Sequence, residues 1–145
     1  MSTASVDELT TEAEWRAAFP VLGQLRDHLT EGEYLTRLRE MREDGYRLFA
    51  LVDDEIVAVV GVTIRTNFYN GRYLFVCDLV TRADRRSEGH GSQLMEFVAE
   101  WARESGCEAM TLESGLWRDD AHRFYEERLD MDRYCYSFKK EFDGT

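Results

Sequence analysis

The sequence predicts a mixed α/β domain of the α+β kind: a mostly antiparallel sheet containing one parallel strand pair, flanked by helices. Three observations carry this. Three β-like runs between Tyr46 and Thr81 follow one another with only short turns between them. A helical run, Gly91 to Glu104, then separates the last of these from another short β-like run, Met110 to Glu113. A strand, a crossover helix and a strand make a parallel pair. Finally, two capped helical runs precede all of this.

Val6 to Leu9 reads as a short first strand. Thr11-Glu12-Ala13-Glu14 is a capping-box pattern opening a helix through Trp15, Phe19, Leu22 and Leu25, with a kink or break expected at Pro20. Thr30 is the expected N-cap of a second helix, with Tyr34, Leu35, Leu38 and Met41 on one face and Gly45 ending it. Tyr46 to Val52 turns at Asp53-Asp54 into Ile56 to Arg65, and Asn70-Gly71 is a hairpin signal leading into Tyr73 to Thr81. Leu94, Phe97, Val98 and Trp101 recur at helical spacing, and Gly106 closes that helix. Asp119 to Arg128 is expected to be helical, with Ala121, Phe124, Tyr125 and Leu129 facing inward. Tyr134 to Phe142 alternates Tyr134, Tyr136 and Phe138 and reads as a last strand. The 145 residues, 43% of them apolar, make one domain spanning 1–145 the expectation.

A net charge of −11 disfavours nucleic acid and anionic membrane surfaces as partners. No apolar run approaches the roughly 20 residues that span a bilayer, and Met1 to Leu9 lacks the pattern of a secretory signal. Cys77, Cys107 and Cys135 form no CxxC, so a reducing cytoplasm is expected, with each cysteine a small buried apolar residue. Of 18 basic residues only Lys139 and Lys140 are lysines. An acidic, lysine-poor chain fits a halophilic protein, whose carboxylate surface is screened by high salt; an arginine-biased composition is the alternative.

The chemistry-bearing segment is Arg85-Arg86-Ser87-Glu88-Gly89-His90-Gly91-Ser92, between a strand and a helix start. Backbone N–H groups and the positive end of a helix dipole suit a phosphate there, and two glycines let it approach. The hexamer R-x-x-G-x-G alone fits equally an ordinary strand-to-helix turn with solvated arginines. It lacks the GK[ST] of a Walker A loop and the third glycine of a Rossmann turn.

A second segment, Glu113 to Tyr125, contains Arg118, Ala121, Phe124 and Tyr125 in the spacing of an N-x-x-A-x-x-[FL]-Y helix, with Arg118 in the asparagine position. Arg86, Gly89 and Gly91, following Asp78-Leu79-Val80-Thr81, together with this helix, resemble the GCN5-related N-acetyltransferase (GNAT) superfamily over nearly the whole length. The resemblance implies the GNAT fold with its fourth and fifth strands splayed. It implies acetyl-CoA as acyl donor, its pyrophosphate held by Arg86 to Ser92 with Arg85 adjoining and its pantetheine paired with the backbone of Leu79, Val80 and Thr81. The second helix, through Arg118, Ala121 and Phe124, adjoins the same site.

Acetyl transfer to an amine then needs an acid, a base and an oxyanion donor. Tyr125 stands where the family places its general acid. Asp78 and Glu113 are candidate bases, since an alkylammonium with a pKa of about 10.4 must lose its proton. The backbone N–H of Leu79 or Val80 is a candidate oxyanion donor. Arg118 is expected to form an ion pair with Asp119 or Asp120, and His90 to point to solvent. Phe68 and Tyr69 serve either hairpin packing or the acceptor side. No metal-ligand spacing occurs, and His28 and His122 are scattered. The expected partners are acetyl-CoA and an amine acceptor, small molecule or protein. The resemblance adds a homodimer paired through an exposed last strand. Two other readings stay open: a non-catalytic acyl-CoA-sensing module, and an acidic protein-interaction domain.

Overall fold

In a computed structural model the structure describes residues 4–86, 88–114 and 118–142, in two units, 1–112 and 113–145. The first unit holds a five-stranded sheet in sequential order. Its strands are β1 (Ser5–Leu9), β2 (Arg47–Asp53), β3 (Glu55–Asn67), β4 (Gly71–Thr81) and β5 (Ala109–Leu112). The first four pair antiparallel, and β4 with β5 parallel through the crossover helix α3 (His90–Glu104).

Helices α1 (Glu12–Leu22) and α2 (Glu31–Glu43) both begin at capping boxes, Thr11 with Glu14 and Thr30 with Glu33. Each threonine hydroxyl accepts from the backbone N–H three residues on, while the glutamate accepts from the threonine N–H. These helices pack Trp15, Ala18, Val21, Leu22, Tyr34, Leu35 and Leu38 against Leu48, Ala50, Val59 and Val80 of the sheet. The α3 side of the core is closed by Leu94, Met95 and Val98, and Phe49 meets Phe97 and Trp101 in tilted and edge-on ring contacts.

Pro20 does not break α1, which runs on to Leu22. It lies two residues before the last helical residue, Leu22, where its missing N–H removes one hydrogen bond. Burial of Val21 and Leu22 and the bond from Gly23 N–H to the Phe19 carbonyl hold the last turn. Nor are the cysteines buried: Cys77 and Cys107 are half-buried and Cys135 is exposed. No helix among the described residues is long and apolar enough to cross a membrane.

In the second unit, Asp119 to Arg128 is helical as expected but changes pitch: α4 (Asp119–Arg123) passes into a π-helical segment, Phe124–Arg128. The expected last strand is absent. Residues 129–142 form no regular structure, and Tyr134, Tyr136 and Phe138 are 64%, 78% and 92% exposed. Alternation encodes a strand only where one face is covered and a neighbour pairs with its backbone; this segment has neither.

Candidate active site

The site of interest in the first unit begins with an irregularity. β3 and β4 pair from Asn67↔Gly71 to Val62↔Val76, then resume at Gly61↔Asp78, leaving Cys77 as an extra residue on β4. Such a bulge shifts the alternation of side chains by one residue. Beyond it Asp78 and Val80 face the α1–α2 side, Val80 in the cluster with Trp15 and Tyr34 and Asp78 bonded to Tyr46.

At the same level β5 stops. Its pairing with β4 ends at Val76↔Leu112, while β3 follows β4 as far as Ala58↔Thr81. From Cys77 to Thr81, β4 has a strand on one side only among the described residues. The resemblance implied that the fourth and fifth strands splay; what is seen is that their pairing ends at Leu112, where β5 ends. The direction of the backbone groups follows from the ladder. Arg82 N–H donates to the Val57 carbonyl at 2.8 Å. Val80 lies opposite Val59, Leu79 opposite Val60 and Thr81 opposite Ala58. Antiparallel pairs alternate between bonded and non-bonded, so Val80 and Arg82 turn their N–H and C=O groups toward β3, and Leu79 and Thr81 turn theirs away. The open edge thus presents the polar groups of Leu79 and Thr81. Of the two expected oxyanion donors, Leu79 N–H faces outward and Val80 N–H faces β3.

Past β4 a single 3₁₀ turn, Ala83–Arg85, leads to Gly89, the N-cap of α3. Gly89 is left-handed at φ +84°, and a Cβ there would meet nothing within 4 Å. The conformation favours glycine, and the space beside it is open. Gly91 and Ser92 lie in the first turn of α3; Ser87 lies outside the described residues. Arg86 is exposed, with no ion pair to a described residue. Arg85 is different: Asp53 at 2.8 Å, Glu88 at 3.3 Å and Glu55 at 3.9 Å surround it. Those carboxylates occupy the guanidinium, which binds the turn to the β2–β3 hairpin. His90, expected to point to solvent, is buried at 8% exposure, with Nε2 3.3 Å from Glu88 Oε1. As the first residue of α3 it turns back toward the turn.

Asp78 is buried, and both its oxygens are engaged. Arg26 Nε and Nη2 lie 2.9 and 2.8 Å from Oδ1, and the Tyr46 hydroxyl donates to Oδ2 at 2.8 Å. Burial and the Asp78 charge push the Tyr46 phenol well above its ordinary range, so it remains a donor. Asp78 is therefore a clamp joining the α1–α2 loop, the residue that precedes β2, and β4. Neither Arg26 nor Tyr46 carries a sequence signal for this. Gly61 does: an isolated glycine in an apolar strand marks a close approach, and a Cβ there would lie 1.7 Å from the Tyr46 hydroxyl.

In the second unit, Tyr125 is the second residue of the π-helical segment that Phe124 opens, their rings edge to face at 5.6 Å. Burial pushes the Tyr125 phenol up; the Arg118 charge and its hydrogen bond to the phenol pull it part of the way back. The expected ion pair of Arg118 with Asp119 or Asp120 does not form among the described residues; Asp120 pairs with Arg123 instead. Ala121, between Arg118 and Tyr125 in sequence, is half-buried. Glu113 is exposed and accepts from the Ser137 hydroxyl at 3.1 Å. Gly115 to Trp117 lie outside the described residues. In the first unit Phe68 and Tyr69 are 108% and 80% exposed at the hairpin tip, so hairpin packing does not explain them. No cluster of His, Cys, Asp and Glu suited to a metal occurs among the described residues.

Comparison with known proteins bears on the family and the fold. A sequence model described as Acetyltransferase (GNAT) family matches residues 9–131. The uncharacterised N-acetyltransferase YhdJ of Bacillus subtilis is 37% identical over 135 residues, 92% of this chain and 95% of that protein. Among solved structures, a transcriptional regulator from Bacillus halodurans superposes with a TM-score of 0.80 at 26% identity, over 96% of this chain and 99% of the other. The aminoglycoside N-acetyltransferase AAC(6')-Iy, solved in complex with CoA, superposes at 0.83 and 16% identity, over 97% and 96%, a likeness of fold.

Proposed function

The chain belongs to the GNAT family of acetyltransferases, and on that premise we propose that it transfers an acetyl group from acetyl-CoA to an amine by direct attack with both substrates bound. The observation that carries this reading is the one-sided stretch of β4, Cys77 to Thr81, leading directly to the left-handed Gly89 and the N-terminus of α3. A chain bearing amides can add to that edge by backbone hydrogen bonds. A pyrophosphate can sit at the helix start, where no Cβ intrudes and Arg86 is free of described carboxylates.

The amine nitrogen attacks the thioester carbonyl, the N–C bond forms and the C–S bond breaks. The outward N–H of Leu79 is the donor to the carbonyl oxygen as negative charge builds on it. Tyr125, kept protonated by burial, gives its proton to the departing thiolate. The ammonium proton leaves to Glu113, the exposed one of the two candidate carboxylates; Asp78, held by Arg26 and Tyr46, shapes the strand.

The test is twofold. Acetyl-CoA is expected to raise the melting temperature, and a panel of amines, assayed for thiol release in molar KCl, should contain at least one acceptor. Stabilisation by acetyl-CoA with no turnover across a broad panel would favour a sensing module. Absence of any stabilisation would remove the cofactor reading itself.

A further inference from the structure

The open edge of β4 is bounded at both ends by side chains of the loop between α1 and α2. At the far end, Gln24 Nε2 donates to the Thr81 carbonyl at 3.3 Å, and Gln24 Oε1 accepts from Ala83 N–H at 2.8 Å. Arg82, between these two, turns its own N–H to β3. Thr81 C=O and Ala83 N–H are therefore the pair that one residue of a parallel neighbour strand would engage. The Gln24 amide stands in for that residue. At the near end, Arg26 Nη2 donates to the carbonyl of the bulge residue Cys77 at 3.1 Å while holding Asp78. Between the two, Leu79 N–H, Leu79 C=O and Thr81 N–H face outward with no side chain of a described residue bonded to them.

We propose that Gln24 and Arg26 are positioning residues that delimit the open edge of β4, so that an amide-bearing chain can pair in only one register. The inference rests on the acetyl-CoA reading and deepens it. Strand addition is indifferent to slippage, because the backbone repeats every two residues. Acetyl transfer is not: a slip of one repeat, about 6.6 Å, carries the thioester away from the reacting groups. Blocking the groups beyond the window removes the slipped registers. The polar partners of the two side chains lie on β4, at Ala83 and at Val21, and none at the described residues of the helix start, so anchoring of the phosphates should not depend on them.

Two probes separate these contributions: acetyl-CoA, and 3′-phospho-ADP, which carries the phosphates without the pantetheine. By calorimetry, Gln24→Ala and Arg26→Lys are expected to weaken acetyl-CoA by about three- to tenfold and to leave 3′-phospho-ADP unchanged. For an amine that the wild type accepts, kcat should fall further than affinity, because slipped complexes bind without reacting. Gln24→Glu keeps the acceptor for Ala83 N–H but loses the donor to Thr81. It should move in the same direction, which guards against a folding defect in the alanine variant; Gln24 is exposed and Arg26 partly so. Folded variants that bind acetyl-CoA within about twofold of wild type at unchanged kcat would overturn the proposal. So would an equal loss of 3′-phospho-ADP. A wild type that binds neither probe would instead overturn the acetyl-CoA reading.

Discussion

The region around β4 and the region around Tyr125 are held in opposite ways. On β4, the groups proposed to meet the cofactor are backbone groups, and they are held from several sides. β3 pairs the strand along its length, Asp78 ties it to Arg26 and Tyr46, and Gln24 fastens its end. Around Tyr125 the group proposed to act is a side chain, on a five-residue π-helical segment that follows a five-residue helix, with Arg118 and Phe124 as its neighbours. Recognition by backbone needs a rigid strand and tolerates changes of side chain. Chemistry by a phenol needs one side chain and asks less of the surrounding packing.

The largest effect should come from the second region. Tyr125→Phe is expected to lower kcat by about a hundredfold with acetyl-CoA affinity unchanged; equal loss in both, measured by kinetics and calorimetry, would erase the contrast. The pH profile sharpens it. A phenol raised by burial stays protonated through neutrality, so the loss of kcat due to its ionisation lies on the alkaline side, above the ordinary value of about 10. Arg118 lowers that phenol, so Arg118→Ala should displace the limb to higher pH.

Next is the strand itself. Gly61→Ala drives a Cβ into the Tyr46 hydroxyl and should destabilise the fold by about 1–3 kcal/mol, read from denaturant unfolding. A neutral result would mean that the Asp78 clamp is loose. Smaller again is Gly89→Asp. It combines a left-handed φ with a negative charge at the helix start proposed to hold the phosphates, and should weaken 3′-phospho-ADP by about tenfold. Unchanged affinity would move the phosphate seat elsewhere. The smallest effect concerns both regions alike. With a net charge of −11, molar KCl should raise the melting temperature by a few degrees through screening; a melt indifferent to salt would favour the arginine-bias alternative.

Much of this was legible in the residues because the signals are local. The capping boxes at Thr11 and Thr30, the turn at Asn70-Gly71 and the helical spacing of Leu94, Phe97, Val98 and Trp101 each specify their element without distant partners. The misreadings involve partners far along the chain. Tyr134, Tyr136 and Phe138 alternate like a strand, but pairing depends on an edge that a pattern cannot supply. Arg26 meets Asp78 across 52 positions of sequence and Gln24 meets Thr81 across 57, so nothing near either residue announces its bond. Arg85 and Arg86 look equivalent as neighbours, yet one is enclosed by Asp53, Glu55 and Glu88 and the other is exposed. The change of pitch at Phe124 likewise has no mark in Phe-Tyr-Glu-Glu-Arg.

The extra residue at Cys77 makes β4 two rulers joined at an offset. Gly71 to Val76 is numbered in one frame and Asp78 to Thr81 in the next. Point substitutions leave both frames intact. Removing a single residue at the junction would merge them while leaving Val62↔Val76 and Gly61↔Asp78 in register, whereas removing one elsewhere in the strand turns the residues between the deletion and the junction to the opposite face. The strand is thus written in a code that reads substitutions as spelling and deletions as grammar, and a library of single-residue deletions along β4 would locate the junction without any structure at all.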